Sequence, residues 1–340
     1  MNINENERIL LAHGGGGQLS EDLITKRILP KLQNQTLSKL GDSAELNVDS
    51  NSICFTTDSY VVKPLFFNGG DIGKLAVCGT INDLSVAGSK PVALSLALII
   101  EDGFEMSLLD KILESIGKTA RQNNVNIVTG DTKTVESGAA DKIFINTAGI
   151  GIKRSDVDLG VSKICIGDKI VINGTIGDHG MTIISQREGI KFESPLKSDC
   201  AALSSIISDL LDNVNGIKFM RDPTRGGIAT TLNEISKSTG FSVTIKETQL
   251  PINKTVQAAA DMLGFDVLTI ANEGKFIAVV SSKNAEKYLE ICRKHPLGKD
   301  AMIIGEITQS KDMPVVELET KIGGKRIVQM PYGRELPRIC

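Results

Sequence analysis

The stretch "DIGKLAVCGTINDLSVAGSKPVALSLALII", residues 71–100, decides the fold, because a helix-like run passes directly into a buried strand. Residues 71–88 read as helix, and "PVALSLALII" at 91–100 is an apolar run of strand length. Working outward, "SICFTTDSYVV" at 52–62 is rich in β-formers, and "MSLLDKILESIGKTARQNN" has apolar residues at 108, 109, 112, 113 and 116, a helical spacing. "VNIVTGDT" and "KIFINTAGIGI" add two strands. A second cycle begins near residue 160 with the strand signal "GDKIVINGTIGDHG". It runs through helical "DCAALSSIISDLLDNV" and "RGGIATTLNEISKSTG" and returns to strands at "FSVTIKE" and "FIAVVSS". The sequence thus predicts an α/β (α+β) protein of two similar units joined near "KRSDVDLGVSK". After residue 318 the pattern dissolves into an extended tail, where Gly323 and Gly324 loosen the chain and Pro331 and Pro337 forbid a regular helix.

Length and charge narrow the function. The 340 residues suit two domains, each with its own core. A net charge of -3 and the absence of tryptophan argue against nucleic acid and anionic membrane as partners. The start of the chain lacks a cationic segment leading into a long apolar one, and no run approaches the ~20 residues needed to span a bilayer, so a cytoplasmic protein is expected. The six cysteines show no C-x-x-C pair, and no His stands at metal-ligand spacing from them. Cys54, Cys78 and Cys165, in apolar runs, read as small buried hydrophobes. Cys340, the last residue, does not fit that reading. A tail of ~15 extended residues reaches roughly 50 Å, so it can act as an arm carrying the thiol to a distant pocket.

Gly and Asp recur together in "GDSAE", "TTDSY", "INDLS", "TGDTK" and "RDPTRGG", which the strand and helix signals put at element ends and on loops. Asp42, Asp58, Asp83, Asp131 and Asp222 supply hard oxygen ligands of the kind magnesium prefers, although each also suits a helix cap or turn. The loop "HGGGGQ" offers the backbone N–H groups of Gly14, Gly15, Gly16 and Gly17 as a nest for phosphate, or is a flexible entry segment. There is no Walker A loop: "GGDIGKLA" is one residue short and has Leu75 where Ser or Thr would hold magnesium. Lys133 and Lys275 could neutralise phosphate or act as bases. Glu273 could be a general base or brace a turn, and His13, beside the glycines, could be functional or structural.

Taken together, "AHGGGGQ", "PLFFNGGDIGKLAVCGTINDLSVAG", "VTGDTK", "GDHG", "RDPTRGGIAT", "PINKTV", "ANEGK" and the ending "GGKRIVQMPYGRELPRIC" resemble the HypE family of hydrogenase maturation factors. These are carbamoyl dehydratases within the PurM and selenophosphate-synthetase superfamily. The resemblance implies two PurM-like mixed-sheet domains, at 1–155 and 156–318, with a flexible tail at 319–340. It implies a homodimer formed through the N-terminal domain and a site for ATP and Mg²⁺ near that interface. HypF would load a carboxamide onto Cys340, ATP-dependent loss of water would leave a thiocyanate, and the HypC–HypD complex would accept the cyanide for the iron of [NiFe]-hydrogenase. By the motifs, the expected catalytic residues are Cys340, Lys133, Glu273 and His13. Gly14–Gly17, Asp58, Asn82 and Asp131 are expected to hold the nucleotide, and Asp42, Asp83 and Asp222 the metal. A selenophosphate synthetase would need a Cys or selenocysteine in the glycine loop, which this chain lacks. A non-catalytic scaffold with a docking tail is the other alternative.

Overall fold

The computed structural model of the chain describes residues 8–10, 13, 22–39, 52–190, 192, 196–331 and 338–340. Its first sheet contains β1 (Ile53–Tyr60), β2 (Ser89–Glu101), β3 (Asn126–Val135) and β4 (Ile143–Lys153), in the order β1-β4-β2-β3. β2 and β3 are parallel, and helix α2 (Met106–Gln122) makes the crossover between them; the other pairs are antiparallel. Alternation along the strands buries one face under α1 (Ile72–Val86) and α2. The opposite face is open: Ile53, Phe55 and Ile99 remain 52%, 68% and 43% exposed. Register puts Phe55 opposite Ile150, Ile99 opposite Phe144 and Ala97 opposite Asp131, so these residues share the open face.

Helix α1 is buried on nearly every side, because it lies between the first sheet and the second domain. Asp71 caps it, accepting from the N–H groups of Gly73 at 2.8 Å and Lys74 at 3.1 Å, and takes a third bond from the Ser115 hydroxyl at 2.6 Å. Gly79 lets the helix approach β1, since a Cβ there would strike the Tyr60 hydroxyl.

The second sheet contains β5 (Lys169–Ile172), β6 (Ile217–Arg221), β7 (Ser242–Lys246), β8 (Ile277–Val280), β9 (Met302–Thr308), β10 (Val316–Glu319) and β11 (Lys325–Ile327). Its order is β11-β10-β7-β9-β5-β8-β6, and only the β10–β7 pair is parallel. Helices cover both faces. Ile277 and Val279 pack with α3 (Asp178–Arg187), α5 (Gly227–Thr239) and α6 (Lys254–Leu263), whereas Ala278 and Val280 pack with α4 (Ser204–Asn213) and α7 (Ala285–Lys294). Among the described residues, no helix is long and apolar enough to cross a membrane.

Several expectations change. Asp58 and Asp131 lie within strands and Asp83 within a helix, so the recurring Gly–Asp motifs do not all mark loops. The helix expected to start at 199 begins at Ser204, and α3, α6 and α7 were not distinguished by their sequence. The expected tail boundary at 318 falls inside β10. The hairpin through β11 belongs to the second sheet, because β10 continues the ladder beside β7. Cys165 is exposed rather than buried, since it occupies a turn before β5 in which its N–H bonds the Asp168 carboxylate at 2.7 Å.

Candidate active site

A cavity of about 420 Å³ opens where the two domains meet, and five acidic or thiol side chains line it: Asp58, Asp83, Asp222, Glu273 and Cys340. Each comes from a different element. β1 contributes Asp58 and α1 contributes Asp83; Asp222 follows β6, Glu273 precedes β8 and Cys340 ends the tail. Asp83 accepts a hydrogen bond from the Thr56 hydroxyl at 2.7 Å, and Asp58 accepts one from Tyr60 at 3.2 Å. Because Asp58 and Tyr60 alternate onto the helix-facing side of β1, both reach the cavity rather than the open face.

Burial and crowding set the electrostatics. Burial raises Asp58, with repulsion from Asp83 second, and burial likewise raises Asp83. Asp222 is pushed up to about 7, by burial and then by Asp83. Burial drives Glu273 well above the usual carboxylate range, followed by the charges of Asp199, Asp222 and Asp58; its Oε1 is buried without a hydrogen-bond partner. Burial also carries the Cys340 thiol to about 12, with Glu273 adding to it and Arg225 opposing. Clustered carboxylates with raised affinity for protons also attract cations. Among the described residues, no three or more His, Cys, Asp or Glu side chains form a ready metal cage. Magnesium uses one or two protein carboxylates and completes its shell with water and phosphate oxygens. Asp83 and Asp222, with Asp58 beside them, are the residues here that would hold it.

The end of the tail is seated, not free. The Val61 N–H donates to a terminal oxygen of Cys340 at 3.1 Å and the Lys63 N–H to the Arg338 carbonyl at 3.2 Å, prolonging the line of β1. The Arg338 guanidinium pairs with Asp141, donates to the Val61 carbonyl at 2.8 Å and lies 5.9 Å from the Phe144 ring centre. Arg187 donates to the Arg338 carbonyl at 2.7 Å, and His179 bonds the Ile339 carbonyl at 2.8 Å. Ile339 is itself part of the core.

Of the residues singled out from sequence, Asp58, Asp83, Asp222, Glu273 and Cys340 come together. Lys133 does not join them within this chain. It pairs with Asp131 at 3.4 Å, and the register puts both on the open face of the first sheet. His13 is outside the cavity, its Nδ1 2.9 Å from the Leu10 N–H. The Asn82 amide donates to the Ala201 and Glu273 carbonyls at 3.1 and 3.2 Å, and its oxygen accepts from the Leu203 N–H at 2.8 Å. Those bonds join α1 to the second domain and spend the side chain on the fold. Lys275 is likewise spent, on buried Asp199 at 3.3 Å, whose carboxylate also receives the Glu273 and Gly274 N–H groups. Gly14–Gly17 and Asp42 lie outside the described residues. Tyr60, Arg225 and Asp199 carry no motif signal that singles them out, although "RDPTRGG" contains Arg225, and His179 in "GDHG" ranks below His13 by sequence alone.

Residues 41–153 match the model of the AIR synthase related protein N-terminal domain, and residues 166–316 match that of its C-terminal domain. A carbamoyl dehydratase HypE of Bradyrhizobium diazoefficiens is 44% identical over 331 residues, covering 97% of this chain and 95% of the relative. The chain belongs to the HypE family. A crystal structure of hydrogenase maturation protein HypE in complex with ATP matches at a TM-score of 0.94 with 42% identity, covering 97% of this chain and 99% of that one. HypE within a HypE–HypF complex matches at 0.80 with 46% identity, covering 93% of this chain and 100% of that chain. The two PurM-like domains expected from sequence agree with these matches.

Proposed function

We propose that this chain is an ATP-dependent carbamoyl dehydratase of hydrogenase maturation, that Cys340 carries the group being dehydrated, and that the cavity around it is the reaction site. The observation that carries the reading is the terminal thiol seated among Asp58, Asp83, Asp222 and Glu273. Arg338 and Ile339, just before it, are bonded into position.

The net reaction converts Cys340–S–C(=O)NH₂ and ATP into Cys340–S–C≡N, ADP, phosphate and one proton. The amide oxygen leaves on the phosphate, and both protons leave the nitrogen. ATP supplies the phosphoryl group that turns a poor leaving group into a good one. Magnesium, when bound with it, supplies the positive charge that balances the polyphosphate and the carboxylates. Asp83 and Asp222 would hold that ion, with Asp58 lining the same cavity. Glu273 lines the cavity and burial raises its proton affinity, so it accepts an N–H proton after giving up its own, and the positive charge of bound magnesium would favour that ionised form. Exclusion of water around the seated substrate would protect the activated carbamoyl from hydrolysis.

The open face of the first sheet supports a homodimer, since Phe55 and Ile99 lie on a continuous strand surface of the kind another copy would cover. That pairing would bring Asp131 and Lys133 of one copy to the interface, which is how Lys133 could still serve a nucleotide. HypF is the proposed carbamoyl donor and the HypC–HypD complex the cyanide acceptor, with all of this in the cytoplasm.

Intact-protein mass spectrometry with the carbamoyl-donating partner tests the reading. Cys340 should gain one carbamoyl and, on addition of Mg-ATP, lose one water, while Cys340→Ala gains nothing. A carbamoyl appearing on any other residue, or persisting unchanged with Mg-ATP, overturns it.

A further inference from the structure

We infer that His179 is the positioning residue that seats the carrier tail, so that it controls dehydration without taking part in loading. His179 stands in the first turn of α3 and is fully buried, its ring edge-on to Phe67 at 5.5 Å between centres. Its Nε2 lies 2.8 Å from the Ile339 carbonyl oxygen. A carbonyl only accepts, so the proton is on Nε2, and Nδ1 is the bare nitrogen. Nδ1 in turn receives the Ser198 hydroxyl at 2.8 Å, and that hydroxyl oxygen takes the Cys200 N–H at 3.1 Å. The chain of donors runs one way, from Cys200 through Ser198 and His179 to the tail, and it closes only when Ile339 is in place.

Departure of the tail would strand a buried N–H, which is the costly kind of lost hydrogen bond. The other anchors grip Arg338, two residues from the end, and a terminal oxygen of Cys340, which accepts from the Val61 N–H at 3.1 Å. His179 grips Ile339, the last peptide carbonyl before the thiol-bearing residue, and therefore fixes the link that aims Cys340 into the cavity. It touches neither the thiol nor the carboxylates, so its effect passes through Ile339. Loading needs the thiol released to a donor enzyme, whereas dehydration needs it seated; a weaker seat shifts the partition between the two. The inference rests on the proposed function for that second half, but its first readout does not.

The test uses the full-length protein and two variants, His179→Phe, which keeps the ring, and His179→Gln, which can keep a donor toward Ile339. Alkylation of Cys340 by iodoacetamide, followed by peptide mass mapping with the other cysteines as internal references, should be roughly tenfold faster in His179→Phe. In His179→Gln it should return toward wild type. With carbamoylated protein, loss of water on adding Mg-ATP should slow by a similar factor in His179→Phe, while the rate of carbamoyl loading holds or rises. Unchanged alkylation, or loading and dehydration falling together, overturns the inference. Should His179→Phe fail to fold, Ser198→Ala makes the same test, because it removes the donor that fixes the ring's tautomer; wild-type alkylation in that variant is equally fatal. Wild-type protein that never loses water, while alkylation shifts as expected, sinks the proposed function and leaves the seat standing.

Discussion

The two sheets of this molecule are built to different ends. The second is covered on both sides: Ile277 and Val279 face one set of helices, Ala278 and Val280 another, and all four are buried. Among the described residues, the first has helices on one side only and leaves Phe55 68% exposed amid other apolar residues. A strand buried on both faces satisfies its own domain, while an apolar open face is the kind of surface that the proposed second copy would cover. The active-site candidates lie at the seam, with Asp58 and Asp83 from the first domain and Asp222 and Glu273 from the second.

The sharpest way to break that contrast is to put one charge on each sheet. Val279→Asp should destabilise the fold by about 4 kcal/mol or more, seen as loss of a cooperative urea transition, because the charge has no route to water. Phe55→Asp should leave the single-chain fold intact and abolish the dimer in sedimentation; a dimer that survives would show the open face to be something other than the interface. Next in size is Asp83→Asn at the seam, expected to cut ATP-dependent dehydration roughly 100-fold with unaltered circular dichroism, because a fixed charge at the reacting phosphates is lost. Unchanged turnover would remove Asp83 from the site. Lys133, on the open face, gives a subtler test. If it acts across the dimer, inactive Lys133→Ala and Cys340→Ala chains mixed as subunits should recover roughly one quarter of wild-type activity, the share of sites that pair an intact thiol with an intact lysine. No recovery would mean Lys133 serves its own chain. The smallest expected effect is local: Asp71→Ala should cost about 1 kcal/mol in urea unfolding through loss of the α1 cap, with the sheet contrast untouched.

Much of this was legible in the residues. Hydrophobic runs in the first half gave the strands and helices of the first domain nearly element by element, because long runs of clear period outvote local preference. The second half was less clear. Short helices such as Lys254–Leu263 carry few periodic repeats, and short strands such as Lys325–Ile327 look like tail until a partner strand is beside them. Asp58, Asp83, Asp222, Glu273 and Cys340 could be named as chemistry from their motifs, but nothing in one dimension separated them from Asn82, whose amide holds the two domains together.

By itself, then, the sequence determined the alternation of elements, the two-domain division, the supply of hard oxygen ligands and the singular thiol at the end. Only the tertiary structure decided which carboxylates share a cavity, that Lys133 faces away from it, and that the tail is held by His179 and Arg187. The physical reason is that periodicity and residue type are local properties. Burial, mutual repulsion of charges and the completion of a hydrogen-bond chain exist only between residues that folding brings together across hundreds of positions.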